Sequence, residues 1–207
     1  MATRGRPRSF DREEALLGAM KIFWAKGYDG ATLTELQEAM GGIAAPSFYA
    51  AFGSKEALFR EAVELYSRTL GAPMMKALSQ EPSARAAIEK LLHAAVEAFC
   101  KPGAPRGCML VSGALNSTPA NQEVQQYLHG LRARRRKAIQ DRLRRGVSQG
   151  ELPAGLDPAA FSTFFTSVMD GLAIQARDGA SRKALHFAVQ CAMKAWDQMV
   201  SESRGNS

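Results

Sequence analysis

An all-α protein with a small N-terminal head and a larger helical body is what this sequence predicts. Three observations point there. Apolar residues recur at three- and four-residue spacing along most of the chain. No stretch sustains the alternation of a half-buried strand, and no Asn-Gly hairpin signal occurs. Capping residues and helix breakers divide the 207 residues into segments, about nine in all.

The first segment carries Leu16, Leu17, Met20, Phe23 and Trp24 on one face and ends at Gly27. "TLTE" at 32–35 predicts a capping box: Thr32 accepts from the backbone N–H of Glu35, and Glu35 reaches back. A short helix runs to Met40, and Gly41-Gly42 breaks it. Pro46 suits the first turn of the next helix, "PSFYAAF", which stops at Gly53. Ser54 caps a helix striped by Leu58, Phe59, Ala62, Val63, Tyr66 and Leu70, which Gly71 and Pro73 should kink or divide. Ser83 caps another, striped by Ile88, Leu91, Leu92, Ala95, Val96 and Phe99. After the loop "KPGAPRG" comes a short apolar helix, "CMLVSGAL". Thr118-Pro119 opens a long helix to Gly146, and Asp157-Pro158 opens one with Phe161, Phe164, Phe165, Val168, Met169 and Leu172 on a single face. Ser181 caps the last helix, and residues 202–207 read as a disordered tail.

Composition narrows the function. No apolar run suits a membrane span and no secretory signal precedes the first helix, so a cytoplasmic setting is expected. Three scattered cysteines make no disulfide framework or metal-ligand pattern, and no cofactor is expected. The net charge is +7. Residues 131–145, "LRARRRKAIQDRLRR", hold eight basic groups and one acid, so they alone supply that excess. Residues 1–10 add three arginines and no acid. Such charge suits a nucleic-acid partner but does not establish one. "RARRRK" reads first as a solvated helix face.

Residues 33–52 form helix, turn, helix, too short to stand without the first helix as a third member. In "AAPSFYAAF", Phe48 and Phe52 point inward while Ser47, Tyr49 and Ala50 point out. Small residues at its start let its N-terminus approach a surface closely, as entry into a major groove requires.

"ATLTELQEAMGGIAAPSFYAAFGSKEALF" (31–59), preceded by "KGYDGAT", resembles the DNA-binding signature of the TetR/AcrR family of bacterial transcription regulators. The resemblance implies a homodimer that binds a palindromic double-stranded operator and is released as a repressor by a small effector. It places a DNA-binding domain at 9–60, with helix-turn-helix at about 32–52, and an effector-binding and dimerisation domain at 61–201. Tyr49 and Lys55 would contact phosphates, Thr32 and Thr34 would anchor the second helix to the DNA backbone, and Ala45, Pro46 and Ser47 would face base edges. Two departures stand out. The turn "GGI" is one residue longer than usual, and Ala44 replaces the common Ser or Thr cap. With few polar side chains on the recognition helix, part of the sequence preference should come from elsewhere.

In the body, Phe99, Met109, Leu115, Tyr127, Phe164, Phe165 and Met169 are candidates to line a pocket for an apolar effector, with plain core as the competing reading. Cys108, after Arg106 and at the start of a short helix, is a candidate electrophile or oxidant sensor, since both neighbours favour the thiolate. The competing reading is a buried filler; Cys100 is a possible partner and Cys191 should pack. His93, His129 and His186 show no catalytic spacing, so an enzyme is not expected.

The arm "RGRP", residues 1–8 overall, resembles the core of an AT-hook. Arg4, Arg6 and Arg8 would then reach a narrow minor groove, with Ser9 or Asp11 capping the first helix. An architectural AT-rich DNA binder would rest on this arm alone.

Overall fold

The computed structural model describes residues 11–113 and 121–205. Helix α1 (Arg12–Gly30) is capped by Asp11, whose side chain accepts from the backbone N–H groups of Glu13 and Glu14. The break foreseen at Gly27 is there: its φ of 74° is non-helical, and a short turn carries the helix on to Gly30. Ala15, Ala19, Met20, Phe23 and Trp24 are buried, whereas Leu17 lies outside the stripe and is exposed. Phe23 meets Phe59 edge-on at 5.0 Å and Trp24 meets Tyr66 at 4.9 Å. These contacts fix α1 along α4 (Lys55–Tyr66).

Helices α2 (Leu33–Ala39) and α3 (Ala45–Phe52) complete the head. Gly18 lets α1 and α2 cross closely, since a Cβ built there would sit 2.0 Å from the Ala39 carbonyl oxygen. After α4 the chain passes through a π-helical turn, Ser67–Gly71, into one-turn segments α5 (Ala72–Met75) and α6 (Ala77–Gln80). This is the division expected from Gly71 and Pro73.

The body contains α7 (Ala84–Phe99), α8 (Met109–Ser112), α9 (Gln122–Ser148), α10 (Pro158–Arg177) and α11 (Arg182–Gly205). With the π turn, α5 and α6 counted as the continuation of α4, nine helices stand among the described residues, and no strand does. α10 packs against α7, α9 and α11, and α7 contacts both α9 and α11. The start expected at Thr118-Pro119 lies outside the described residues. The C-terminal tail is corrected for residues 202–205, where α11 continues. Val200 is buried, and Ser203 Oγ donates to the Met199 carbonyl at 2.8 Å, which extends the helix past the expected boundary.

The basic segment is also corrected. Two of its arginines, Arg135 and Arg142, are buried rather than solvated. Arg142 pairs with Glu151 at 3.1 Å, and the same carboxylate accepts from Ala84 N at 2.7 Å, tying α9 to the start of α7. Arg145 donates to the Leu78 carbonyl at 2.8 Å. Arg134, Arg136, Lys137 and Arg144 remain on the outer face.

Candidate nucleic-acid interface

The capping box of α2 forms as its sequence requires. Glu35 N donates to Thr32 Oγ1 at 3.3 Å and Thr32 N donates to Glu35 Oε2 at 3.1 Å. The ammonium of Lys26 holds the same Glu35 carboxylate. That hydrogen bond, with those to Thr32, pulls the Glu35 carboxyl down to about 2. Thr32 and Thr34 are both exposed beside this box.

The longer turn is accommodated by two glycines with positive φ, 85° at Gly41 and 76° at Gly42, a region L side chains rarely adopt. The N–H groups of Gly42 and Ile43 both donate to the Gln37 carbonyl, at 2.9 and 3.3 Å, so the added residue is hydrogen-bonded into the end of α2. α3 starts at Ala44 with no side-chain cap, as the sequence foretells. Phe48 and Phe52 are buried and pin one side of α3 to the head. Ala45, Pro46, Ser47, Tyr49 and Ala50 form its exposed side. Tyr49 is 52% exposed, so its hydroxyl is free to reach a surface ligand.

α4 begins beside α3. Ser54 caps it, accepting from Ala57 N at 3.0 Å. Lys55 is half-buried, its Nζ 4.6 Å from the centroid of the Tyr28 ring. Desolvation lowers the Lys55 pKa, and Asp29 opposes it. An aromatic face therefore steers this ammonium, a contact that the sequence pattern did not reveal. Arg12 makes a two-point pair with Glu61, at 2.8 and 2.9 Å, while its guanidinium lies over Phe52. The head therefore presents one face: small residues on α3, flanked by Tyr49, Lys55, Thr32 and Thr34. Arg4, Arg6 and Arg8 lie outside the described residues.

Residues 15–62 match the family described as bacterial regulatory proteins, tetR family, and residues 84–192 match the tetracyclin repressor-like C-terminal domain. The chain belongs to the TetR family. Similar to it are two repressors of Escherichia coli (strain K12). The HTH-type transcriptional repressor ComR is 31% identical over 199 residues, 96% of this chain and 94% of ComR. The HTH-type transcriptional repressor BdcR is 29% identical over 199 residues, 96% of this chain and 95% of BdcR. The solved structure of CifR, a TetR family transcriptional regulator, shares 43% identity and a TM-score of 0.88, covering 92% of this chain and 100% of that one. That structure is a cysteine mutant complexed with 26-base-pair double-strand operator DNA. This TetR-family protein is a DNA-binding transcriptional regulator.

The body places the remaining candidates less uniformly. Phe99, Met109, Phe165 and Met169 are all buried together in the core. Tyr127 is half-buried under the Arg60 guanidinium, 4.6 Å from its ring centroid. Phe164 is corrected from a lining residue to a surface one, 38% exposed, because α10 turns that position outward. Leu115 lies outside the described residues. Cys108 is buried at the N-cap of α8. Arg106 is not its neighbour: its guanidinium donates to the Ala180 carbonyl and to Cys100 Sγ, the latter at 3.5 Å. Arg135 takes that place, with Nη1 4.0 Å from Cys108 Sγ and Nη2 paired to Asp170. Tyr66 is hydrogen-bonded to Cys108, and burial, then the sulfur beside it, pushes its hydroxyl well above the ordinary value. Cys191 is exposed, contrary to the packing expected of it.

Two further features escaped the sequence. Head and body are joined where Tyr28 N donates to the Gly113 carbonyl at 2.8 Å and Arg177 Nη2 donates to the Ala25 carbonyl at 3.1 Å. His93 and His186 also meet, Nδ1 to Nδ1 at 2.7 Å, with His186 Nε2 2.9 Å from Glu97.

Proposed function

We propose that this protein is a homodimeric repressor that reads a palindromic operator through α3 and leaves it when a small effector enters the body. The exposed small-residue face of α3, anchored by Phe48 and Phe52 and flanked by Tyr49 and Lys55, carries this reading. Ala45, Pro46 and Ser47 approach base edges, Tyr49 and Lys55 meet phosphates, and Thr32 and Thr34 hold the start of α2 to the DNA backbone. Arg4, Arg6 and Arg8 read an adjacent A·T-rich minor groove, adding specificity that α3 lacks. Phe164, Ile174 and Phe187, exposed on α10 and α11, form the apolar face that a second copy covers. No helix among the described residues is long and apolar enough to cross a membrane.

Phe99, Met109, Phe165 and Met169 surround an apolar effector. Its entry shifts α8, and the Tyr28–Gly113 and Arg177–Ala25 bonds transmit the shift to α1. The test is operator affinity by fluorescence anisotropy across a salt series. Lys55→Ala should weaken binding to all sites and lower the salt slope by about one. An unchanged slope would remove Lys55 from the interface, and a monomer by light scattering at micromolar concentration would remove the dimer.

A second reading rests on the cluster around Cys108. Arg135 Nη1 stands 4.0 Å from the Cys108 sulfur, and Tyr66 stays a neutral donor toward it. The related regulator CifR was solved in complexes with operator DNA as cysteine mutants. Under this reading an electrophile or oxidant modifies Cys108 and releases the operator. If Cys108→Ser is released by such reagents as readily as the parent, the reading fails.

A further inference from the structure

Two guanidinium groups enter the apolar body from one face of α9. Arg135 is 6% exposed, and Arg132, three residues earlier, is half-buried. Arg132 Nη1 donates to the Leu110 carbonyl of α8 at 2.6 Å, and Arg135 Nη2 pairs with Asp170 of α10. Among the described residues Asp170 is the only carboxylate that pairs with either of them. Two positive charges therefore stand against one negative charge. Burial pulls the Arg132 pKa down, Asp170 opposes it, and the second guanidinium adds to the effect of burial.

Buried polar atoms around the pair are also unsatisfied. Arg135 Nε is enclosed and meets no partner among the described residues, and Nη1 has only the Cys108 sulfur, at 4.0 Å. Thr166 Oγ1, one turn before Asp170 on α10, is enclosed without a partner too. So is Trp24 Nε1, whose ring meets Tyr66 at 4.9 Å. Tyr66 reaches the cluster from α4, hydrogen-bonded to Cys108 and accepting from the backbone N–H of Met109. Met109, Phe165 and Met169, each next in sequence to a member of the cluster, are buried apolar residues. An enclosed donor without a partner is costly, and an enclosed charge without one is costlier.

We propose that the effector of this regulator is an amphipathic carboxylic acid, whose carboxylate meets the Arg132–Arg135 pair and accepts from Arg135 Nε while its apolar part lies among Met109, Phe165 and Met169. A carboxylate supplies both the single negative charge and the acceptor that the cluster lacks, whereas a water molecule supplies only the acceptor. The bound acid also competes with Asp170 for Arg135, which loosens α9 from α10 beside Tyr66. Tyr66 ends α4, the helix that begins with Lys55 in the head. This inference rests on the effector-release reading for its consequence, but the preference for an acid is measured without DNA.

The test compares octanoate and hydrocinnamate with their primary amides. Binding is read by isothermal titration calorimetry on the DNA-free full-length protein at neutral pH, where both acids are ionised. At least one acid should bind about tenfold to a hundredfold more tightly than its amide, the factor one charge-assisted hydrogen bond supplies. Arg132→Gln should remove most of that preference, and Arg132→Lys, which keeps the charge, should retain most of it. Arg132 has no carboxylate partner to strand, so neither change leaves a buried acid unpaired. Amides that bind as tightly as the acids, or a preference unchanged in Arg132→Gln, overturn the assignment. So does the absence of binding by either acid up to about 10 mM. Operator affinity by fluorescence anisotropy separates the two readings. Acids that bind with the stated preference yet leave operator affinity unchanged would remove the effector reading and leave the anion site standing. Operator release by acid and amide at equal concentrations would do the reverse.

Discussion

Replacing Gly18 by alanine probes the α1–α2 crossing that sets the helix-turn-helix on its support. In an open helix interior this change stabilises, by about 0.5–1 kcal/mol, because alanine has less freedom to lose on folding. Gly18 is not open. Its new Cβ would lie 2.0 Å from the Ala39 carbonyl oxygen and 2.9 Å from its carbon, both backbone atoms of α2. Relief requires α2 to move away by more than an ångström, which breaks the packing of buried Leu36 and Met40. Overpacking of this kind costs about 1–3 kcal/mol, and here the clash with backbone favours the upper end. Gly130, where an added methyl group would meet nothing within 4 Å, supplies the control in α9. Urea unfolding followed by the fluorescence of buried Trp24 and Trp196, at fixed protein concentration, should show Gly18→Ala destabilised and Gly130→Ala slightly stabilised. Operator affinity should fall in the first variant alone, because the turn and α3 follow α2. Equal stabilisation of both variants would refute the close crossing and the argument built on it.

Thr32→Ala should cost about 1 kcal/mol by opening the capping box, read as a lower urea midpoint. Asp170→Ala should cost more, toward the lower end of roughly 3–5 kcal/mol, since it strands the buried Arg135 while Asp170 itself keeps some solvent. Arg135→Leu should be milder than Asp170→Ala, and the ranking of their unfolding midpoints decides between them. Burial, then His186, lowers the His93 pKa, so the unfolded chain binds more protons there. Stability from this group is present above the unfolded value and lost as pH falls through the folded one. His93→Gln should therefore flatten the loss of melting temperature between about pH 7 and 5, and an unchanged slope would remove His93 from that balance.

Local chemistry was legible wherever neighbours in sequence decide it. The caps Asp11, Thr32, Ser54, Ser83 and Asp157 sit where their side chains can accept from N–H groups two or three residues ahead. The breaks at Gly27, at Gly41-Gly42 and around Pro73 follow from backbone freedom or a missing donor. The inward Phe48 and Phe52 and the outward Ser47 and Tyr49 follow from helical period alone. Phe164 shows the limit of that period: the same spacing that buries Phe161 and Phe165 leaves it at the stripe's edge, where the width of the partner helix decides.

Charge was the least legible property. A run of eight basic groups in fifteen residues reads as one solvated surface, because sequence gives a helix's rotation only through its apolar residues. The fold turned Arg135 and Arg142 inward because Asp170 and Glu151, 35 and nine residues away, stand there to meet them. Distance in sequence likewise hid the Arg135–Cys108 approach, the His93–His186 contact and the two hydrogen bonds joining head to body. The sequence by itself determined most of the helices, their caps and the face of α3, since each depends on contacts within about one turn. Only the tertiary structure decided which charges are buried, which cysteine meets a guanidinium and how the body reaches the head, because those energies exist only between residues brought together by folding.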